Sequence, residues 1–108
     1  MKKVGVVVLN YKLKKEVDRA LKSVFDSKEV ELEVVLVDND SDDGVSELTK
    51  KYPKLHFIQS GSNKGFSGGN NIGIKMILDL GCEYILLLNP DAWVDKYAIR
   101  NMVQCAVS

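Results

Sequence analysis

The sequence predicts a single α/β domain built on an open, doubly wound, mostly parallel sheet, with about four strands and four helices. Two features lead to this expectation. Four short apolar runs, Val4 to Leu9, Leu32 to Val37, Leu55 to Ile58 and Tyr84 to Leu88, are nearly unbroken rather than alternating, as strands covered on both faces are. Segments of helical period separate and follow them, so the order along the chain is β-α-β-α-β-α-β-α.

The helices follow from spacing. Val17, Ala20, Leu21, Val24 and Phe25 recur at helical intervals with Lys and Glu between them, which makes an amphipathic crossover helix after the first strand. Val45, Leu48 and Tyr52 give a shorter second helix ended by Pro53. Ile74, Ile77 and Leu78 mark a third, with its N-terminus expected near Asn70 and its stop at Gly81. Ile99, Met102, Val103 and Ala106 share one side of a fourth. Tyr84 to Leu88 reads as fully buried, yet no later strand follows to cover its edge. The chain is therefore expected to be a truncated piece of a larger domain, or else a homo-oligomer in which a second copy completes the sheet.

Composition narrows the function classes. The 108 residues suffice for one core, and 15 basic side chains against 15 acidic leave no net field to attract nucleic acid or an anionic membrane. Cys82 and Cys105 have no metal-ligand spacing and read as reduced, semi-buried thiols of a cytoplasmic protein, free or peripheral to the membrane. MKKVGVVVLN begins like a signal peptide, but its apolar run is only Val4 to Leu9, and no stretch has the length of a transmembrane segment.

In open parallel sheets ligands bind beyond the carboxyl ends of the strands, so the informative loops start at Asn10, Asp38, Ser60 and Asn89 and should converge on one rim. DNDSDDG, Asp38 to Gly44, resembles a calcium loop only at first sight: Asp43 stands at the sixth position where glycine is required, and Thr49 at the twelfth where glutamate is. Ser41 to Asp43 read better as a helix cap with Asx turns, while Asp38 sits at the strand end where a carboxylate would meet a nucleobase or ribose. NKGFSGGNNIGI, Asn63 to Ile74, lacks the ending of a P-loop and the spacing of GxGxxG. It still feeds a helix N-terminus suited to a diphosphate, with Lys64 as an added charge; the plainer alternative is a glycine-rich turn that caps the third helix. In NPD, Asn89 and Asp91 are two residues apart and offer oxygen ligands to a hard ion, so Mg2+ or Mn2+ is expected, or Asp91 merely caps the following turn. His56 lies inside the third strand and reads as a packed or edge side chain.

Taken in order, VVVLNYK, VLVDNDSDDG, NKGFSGGNNIGI and YILLLNPD resemble the family 2 glycosyltransferases of the GT-A fold, particularly the rhamnosyltransferase-like branch. The resemblance runs from the first strand to the last helix and implies the Rossmann-like, N-terminal nucleotide-sugar-binding half of that fold. It implies that Leu9, Asn10 and Tyr11 line the nucleobase pocket and that Asp38 contacts the base. It also implies that Asn63, Lys64, Gly65, Phe66, Gly68, Gly69, Asn70 and Asn71 hold ribose and diphosphate. NPD stands where the family keeps its DxD metal motif, with Asn89 in place of the first aspartate and Asp91 as principal ligand. Two departures stand out: Lys12 occupies a position where the family often has Asn, and Asp40 one where it usually has Gly.

The implied reaction is transfer of a sugar from a UDP- or dTDP-linked donor to an acceptor hydroxyl, with inversion, as in polysaccharide biosynthesis. Family members continue well beyond this length and carry their catalytic base there, so donor binding with little or no transfer is expected of these residues alone. The alternative is a non-catalytic nucleotide-sugar-binding module or dimerising scaffold. A nucleotidyltransferase should carry a glycine-rich, basic signature after the first strand, which Asn10-Tyr11-Lys12 does not supply.

Overall fold

The structure, a computed structural model, describes residues 2–107. Lys3–Asn10 (β1), Glu31–Asp38 (β2), His56–Gln59 (β3) and Tyr84–Leu88 (β4) form one parallel sheet in the order β3-β2-β1-β4. The helices are Lys14–Phe25 (α1), Leu48–Lys51 (α2, entered through a 3-10 turn at Val45–Glu47), Gly65–Asp79 (α3) and Ala98–Val107 (α4). The expected α/β architecture is the observed one. After β3 the chain crosses back to the other side of β1, so the strand order reverses between β1 and β4, and a crevice opens at such a switch point.

Side chains alternate along each strand and so divide the core in two. Val4, Val6 and Val8 of β1, with Val34 and Leu36 of β2, pack on Val17, Leu21 and Val24 of α1 and on Ile99 of α4. The opposite face, Val7, Leu9, Val35 and Val37, packs on Ile77 of α3. Each such aliphatic side chain contributes about 1.5–3 kcal/mol on full burial.

Helix α3 lies close on the sheet, at a separation that three glycines permit. A Cβ on Gly73 would sit 2.5 Å from Val7 Cγ1, and one on Gly69 2.5 Å from Leu9 Cδ1. Reciprocally, a Cβ on Gly5 of β1 would overlap the Ile77 side chain. Gly69 and Gly73 are one turn apart and therefore share the face that meets β1.

Several expectations are corrected. Helix α3 begins at Gly65, not near Asn70, so Gly68, Gly69 and Asn70 are helical rather than loop. Intrinsic propensity disfavours glycine in a helix by about 1 kcal/mol each, and the contact with β1 overrides it. The second helix is a 3-10 turn followed by a single α turn, Leu48–Lys51, that ends before Pro53. Strand β4 is not fully buried: Ile85 and Leu87 are 40% and 43% exposed, because β4 is the sheet edge and α3 lies chiefly over β1 and β2. Cys82 is half-buried, whereas Cys105 is exposed. His56 lies in edge strand β3, its Nε2 3.2 Å from Glu33 Oε1. Among the described residues no helix is long and apolar enough to cross a membrane.

The tight seat of α3 sets a test. Gly73→Ala should destabilise the domain by about 1–3 kcal/mol through overpacking against Val7, although alanine is the better helix former. A urea titration showing equal or greater stability would contradict that seat.

Candidate functional site

A cavity of about 310 Å3 opens at the carboxyl ends of β1 and β4, at the switch point. Leu9, Leu87 and Leu88 give it an apolar floor, and the first turns of α3 close one side with Gly65, Phe66 and Asn70. Tyr11 and Leu13 form the opposite lip, and Asn89 and Pro90 the end of β4. Its polar side chains are the amides of Asn39, Asn63, Asn70 and Asn89 and the Tyr11 phenol, and no charged side chain lines it among the described residues. Neutral amides both donate and accept, so such a wall suits a flat heterocycle of mixed polarity better than a bare ion. Tyr11 and Phe66, 43% and 63% exposed, set two aromatic faces at its mouth.

Two expected site residues are absent from that wall. Asn10 and Asp38 are register partners and both are buried, but they share parity with Val8 and Leu36 and so point to the α1 side of the sheet. There they form a closed network. Asn10 Nδ2 donates to Asp38 Oδ1 (3.0 Å) and Ser41 Oγ (2.9 Å), while Asn10 Oδ1 accepts the Leu13 N–H (3.0 Å) that leads into α1. Asp38 also accepts from Gln59 Nε2 (2.9 Å), from the Ser41 hydroxyl and from the Ser41 N–H (3.4 Å). Burial pushes the Asp38 carboxyl upward, but the Ser41 hydroxyl, Gln59, Asn10 and the Ser41 N–H outweigh it and hold the group below the usual carboxylate value. Asp43 Oδ1 accepts the Val45 N–H (3.2 Å), as the capping reading of this loop expects.

The residue that reaches the cavity from β2 is the next one, Asn39, which sequence reasoning passed over. Its Nδ2 donates to Asn63 Oδ1 (3.2 Å) and the Gly65 carbonyl (3.1 Å), and its Oδ1 accepts from Lys64 N–H and Ser60 Oγ, both at 3.1 Å. One buried amide thus ties the end of β2 to the start of α3. The available signal was strand parity: if Leu9 faces the cavity, Asn39 does too, and Asp38 does not. Asn63 Oδ1 also takes the Gly65 N–H (2.9 Å), one of the orphan donors of the helix.

The remaining expected residues divide. Lys64 and Asn71 are exposed and off the cavity wall, and Lys64 Nζ donates to Ser62 Oγ (3.2 Å). A Cβ on Gly68 would lie 2.9 Å from Lys64 Cβ and one on Gly69 would meet Leu9, whereas a Cβ on Gly65 would have nothing within 4 Å. Asn89 lies on the wall, while Asp91 is exposed just beyond it, in a turn closed by the Ala92 N–H on the Asn89 carbonyl (3.0 Å). Among the described residues no three His, Cys, Asp or Glu side chains gather around one point. Asp91 and Asn89 still offer the hard oxygen donors that Mg2+ or Mn2+ prefers, with room for ligands from a bound molecule. Lys12 and Asp40, the two departures from the family pattern, have φ of 60° and 64°. Both stand in the left-handed region, which Asn and Gly enter at least cost.

Comparison with known proteins bears on the family and the fold. The family model described as Glycosyl transferase family 2 matches residues 4–107. The chain is 38% identical over 101 residues to the low-salt glycan biosynthesis hexosyltransferase Agl10 of Haloferax volcanii, covering 91% of this chain and 31% of the relative. It is 31% identical over 75 residues to the dTDP-rhamnosyl transferase RfbF of Shigella flexneri, covering 69% of this chain and 25% of that protein. Its structure resembles S. aureus TarS 1-349 in complex with UDP-GlcNAc, with a TM-score of 0.81 and 25% identity over 96% of this chain and 30% of that one. The chain thus spans about a third of the length of the relatives it matches.

Because the native pKa of Asp38 lies below its unfolded value, its contribution to stability is present above the unfolded pKa and is lost as pH falls through the native one. Asp38→Asn should cost about 1–3 kcal/mol near neutral pH, with the gap from wild type closing below about pH 4. Urea titrations across pH check this, and a gap independent of pH would refute it.

Proposed function

The chain belongs to glycosyl transferase family 2, and on that premise we propose that it is the donor-binding part of an inverting, metal-dependent glycosyltransferase using a UDP- or dTDP-linked sugar. One observation supports this above others. Residues far apart in sequence, Leu9 and Tyr11, Asn63 and Phe66, and Leu88 and Asn89, border one cavity at the switch point.

On this reading the base enters between Leu9 and Tyr11, with Phe66 as a second flat face and the amides of Asn39, Asn63 and Asn70 to satisfy its edge. The diphosphate lies over the first turn of α3, where the positive end of the helix and the Lys64 ammonium favour an anion. Gly65, with φ of 73° and open space where a side chain would stand, lets the phosphates come near the main chain. Asp91 and Asn89 hold the divalent cation, which when bound supplies Lewis-acid stabilisation of the departing diphosphate, generally worth several kcal/mol. Transfer breaks the bond between anomeric carbon and diphosphate oxygen as the acceptor oxygen attacks from the opposite side, and the acceptor proton passes to a base. We propose that this base and the acceptor site lie outside these residues, in keeping with matched relatives about three times as long.

Asp38 and Asn10 act in this scheme as positioning groups: their hydrogen bonds set the loops on which Leu13 and Asn39 stand.

A thermal-shift panel of UDP, dTDP and GDP, with and without Mn2+, tests the assignment. A preferred uridine or thymidine nucleotide at a hundredfold excess over its Kd should add about 2.7 kcal/mol of apparent stability. Asp91→Ala should keep the metal-free shift and lose the increment that Mn2+ adds. Absence of any nucleotide shift in the wild type would remove the basis of the proposal.

A further inference from the structure

The segment after β4, residues 89–97, carries Asp91 but has no regular structure of its own to aim it. It is held from the side, by α1. The Arg19 Nη2 donates to the carbonyl oxygen of Asp91 (3.3 Å), and the same guanidinium lies over the Trp93 ring with its Cζ 4.6 Å from the centroid. One turn further along α1, the Ser23 hydroxyl accepts the Val94 N–H (3.1 Å) while donating to the Ala20 carbonyl (2.7 Å). Beyond the helix, the Lys28 N–H reaches the Lys96 carbonyl (2.7 Å). Successive residues of the segment are thus pinned along one side of a helix that starts from the Asn10 network.

We propose that Arg19 is a positioning residue for the metal ligand Asp91: by clamping the Asp91 carbonyl and the Trp93 ring at once, it fixes the backbone of the turn and so the direction of the Asp91 carboxylate. The proposal rests on the donor-site reading above. A planar guanidinium suits both tasks, since its edge donates hydrogen bonds while its face stacks on an indole. Asp91 and Trp93 are two residues apart, in and just after the turn at Asn89 to Ala92, and the carbonyl of one and the ring of the other both lie within reach of the Arg19 side chain. Arg19 is exposed, so the clamp does not serve to bury it, and Trp93, 61% exposed, contributes little to the core.

The test is Mn2+ affinity at saturating UDP, read by electron paramagnetic resonance of the free ion, beside UDP affinity without metal, for wild type, Asp91→Ala, Arg19→Ala and Arg19→Lys. Arg19→Ala should weaken Mn2+ about tenfold, as loss of a group that orients a ligand does, with metal-free UDP affinity and melting temperature near wild type. Arg19→Lys, which keeps a donor but not the stacking plane, should fall between the two. Unchanged Mn2+ affinity in Arg19→Ala would overturn the role of Arg19, as would an equal loss of UDP and Mn2+ binding. If the wild type binds no Mn2+ with UDP, or Asp91→Ala binds it as well as wild type, the donor-site reading itself fails and the role of Arg19 falls with it.

Discussion

The close approach of α3 to β1 is the constraint on which the rest of the molecule depends. Gly69 and Gly73 on the helix, and Gly5 on the strand, remove the side chains that would hold the two apart. A helix seated lower brings its N-terminal turn beside the end of β1, and the cavity exists because those two ends meet Leu87, Leu88 and Asn89 of the neighbouring strand. Interiors pack at crystal-like density, so even one added methyl would be felt as a displacement of the whole helix. The glycine cluster thus serves two distances: Gly69 and Gly73 bring helix to sheet, while Gly65 leaves the main chain open to solvent.

A second constraint is electrostatic. The rim carries many carboxylates, yet the ones deepest in the fold are consumed by the protein. Asp38 is surrounded by donors from Asn10, Ser41 and Gln59, which is the condition under which a buried carboxylate stays charged without destabilising the fold. With that charge hydrogen-bonded inside the fold, the cavity wall presents amides and aromatic rings, and Asp91 stands exposed outside it.

Helix α1 links the two constraints. It starts from Leu13, whose N–H is held by Asn10, and it ends near Lys28, whose N–H holds the segment after β4. The same helix buries Val17, Leu21 and Val24 against the sheet, so its outer contacts with Asp91, Trp93 and Val94 are made from a rigid base. Edge strand β4 is covered on one face only, with Ile85 and Leu87 turned outward on the face that α3 leaves uncovered.

The α/β class, the four strands and the meeting of their carboxyl ends were all legible in the residues themselves, because apolar runs and helical spacing are local signals set by burial. Leu9, Tyr11 and Phe66 as members of one site came from the family resemblance rather than from the strand-end rule, and all three border the cavity. The start of α3 at Gly65 was not legible: propensity reads a glycine run as loop, and only contact with Val7 and Leu9 compensates four glycines inside a helix. Nor was the exchange of Asp38 for Asn39 at the cavity, which turns on the parity of a strand whose two faces are equally apolar. The sequence by itself determined which elements form and which ends carry polar groups, because those follow from local pattern. Which face each group points to, and how near the helix lies, was decided by tertiary packing, since both depend on shapes that meet only when distant segments are brought together.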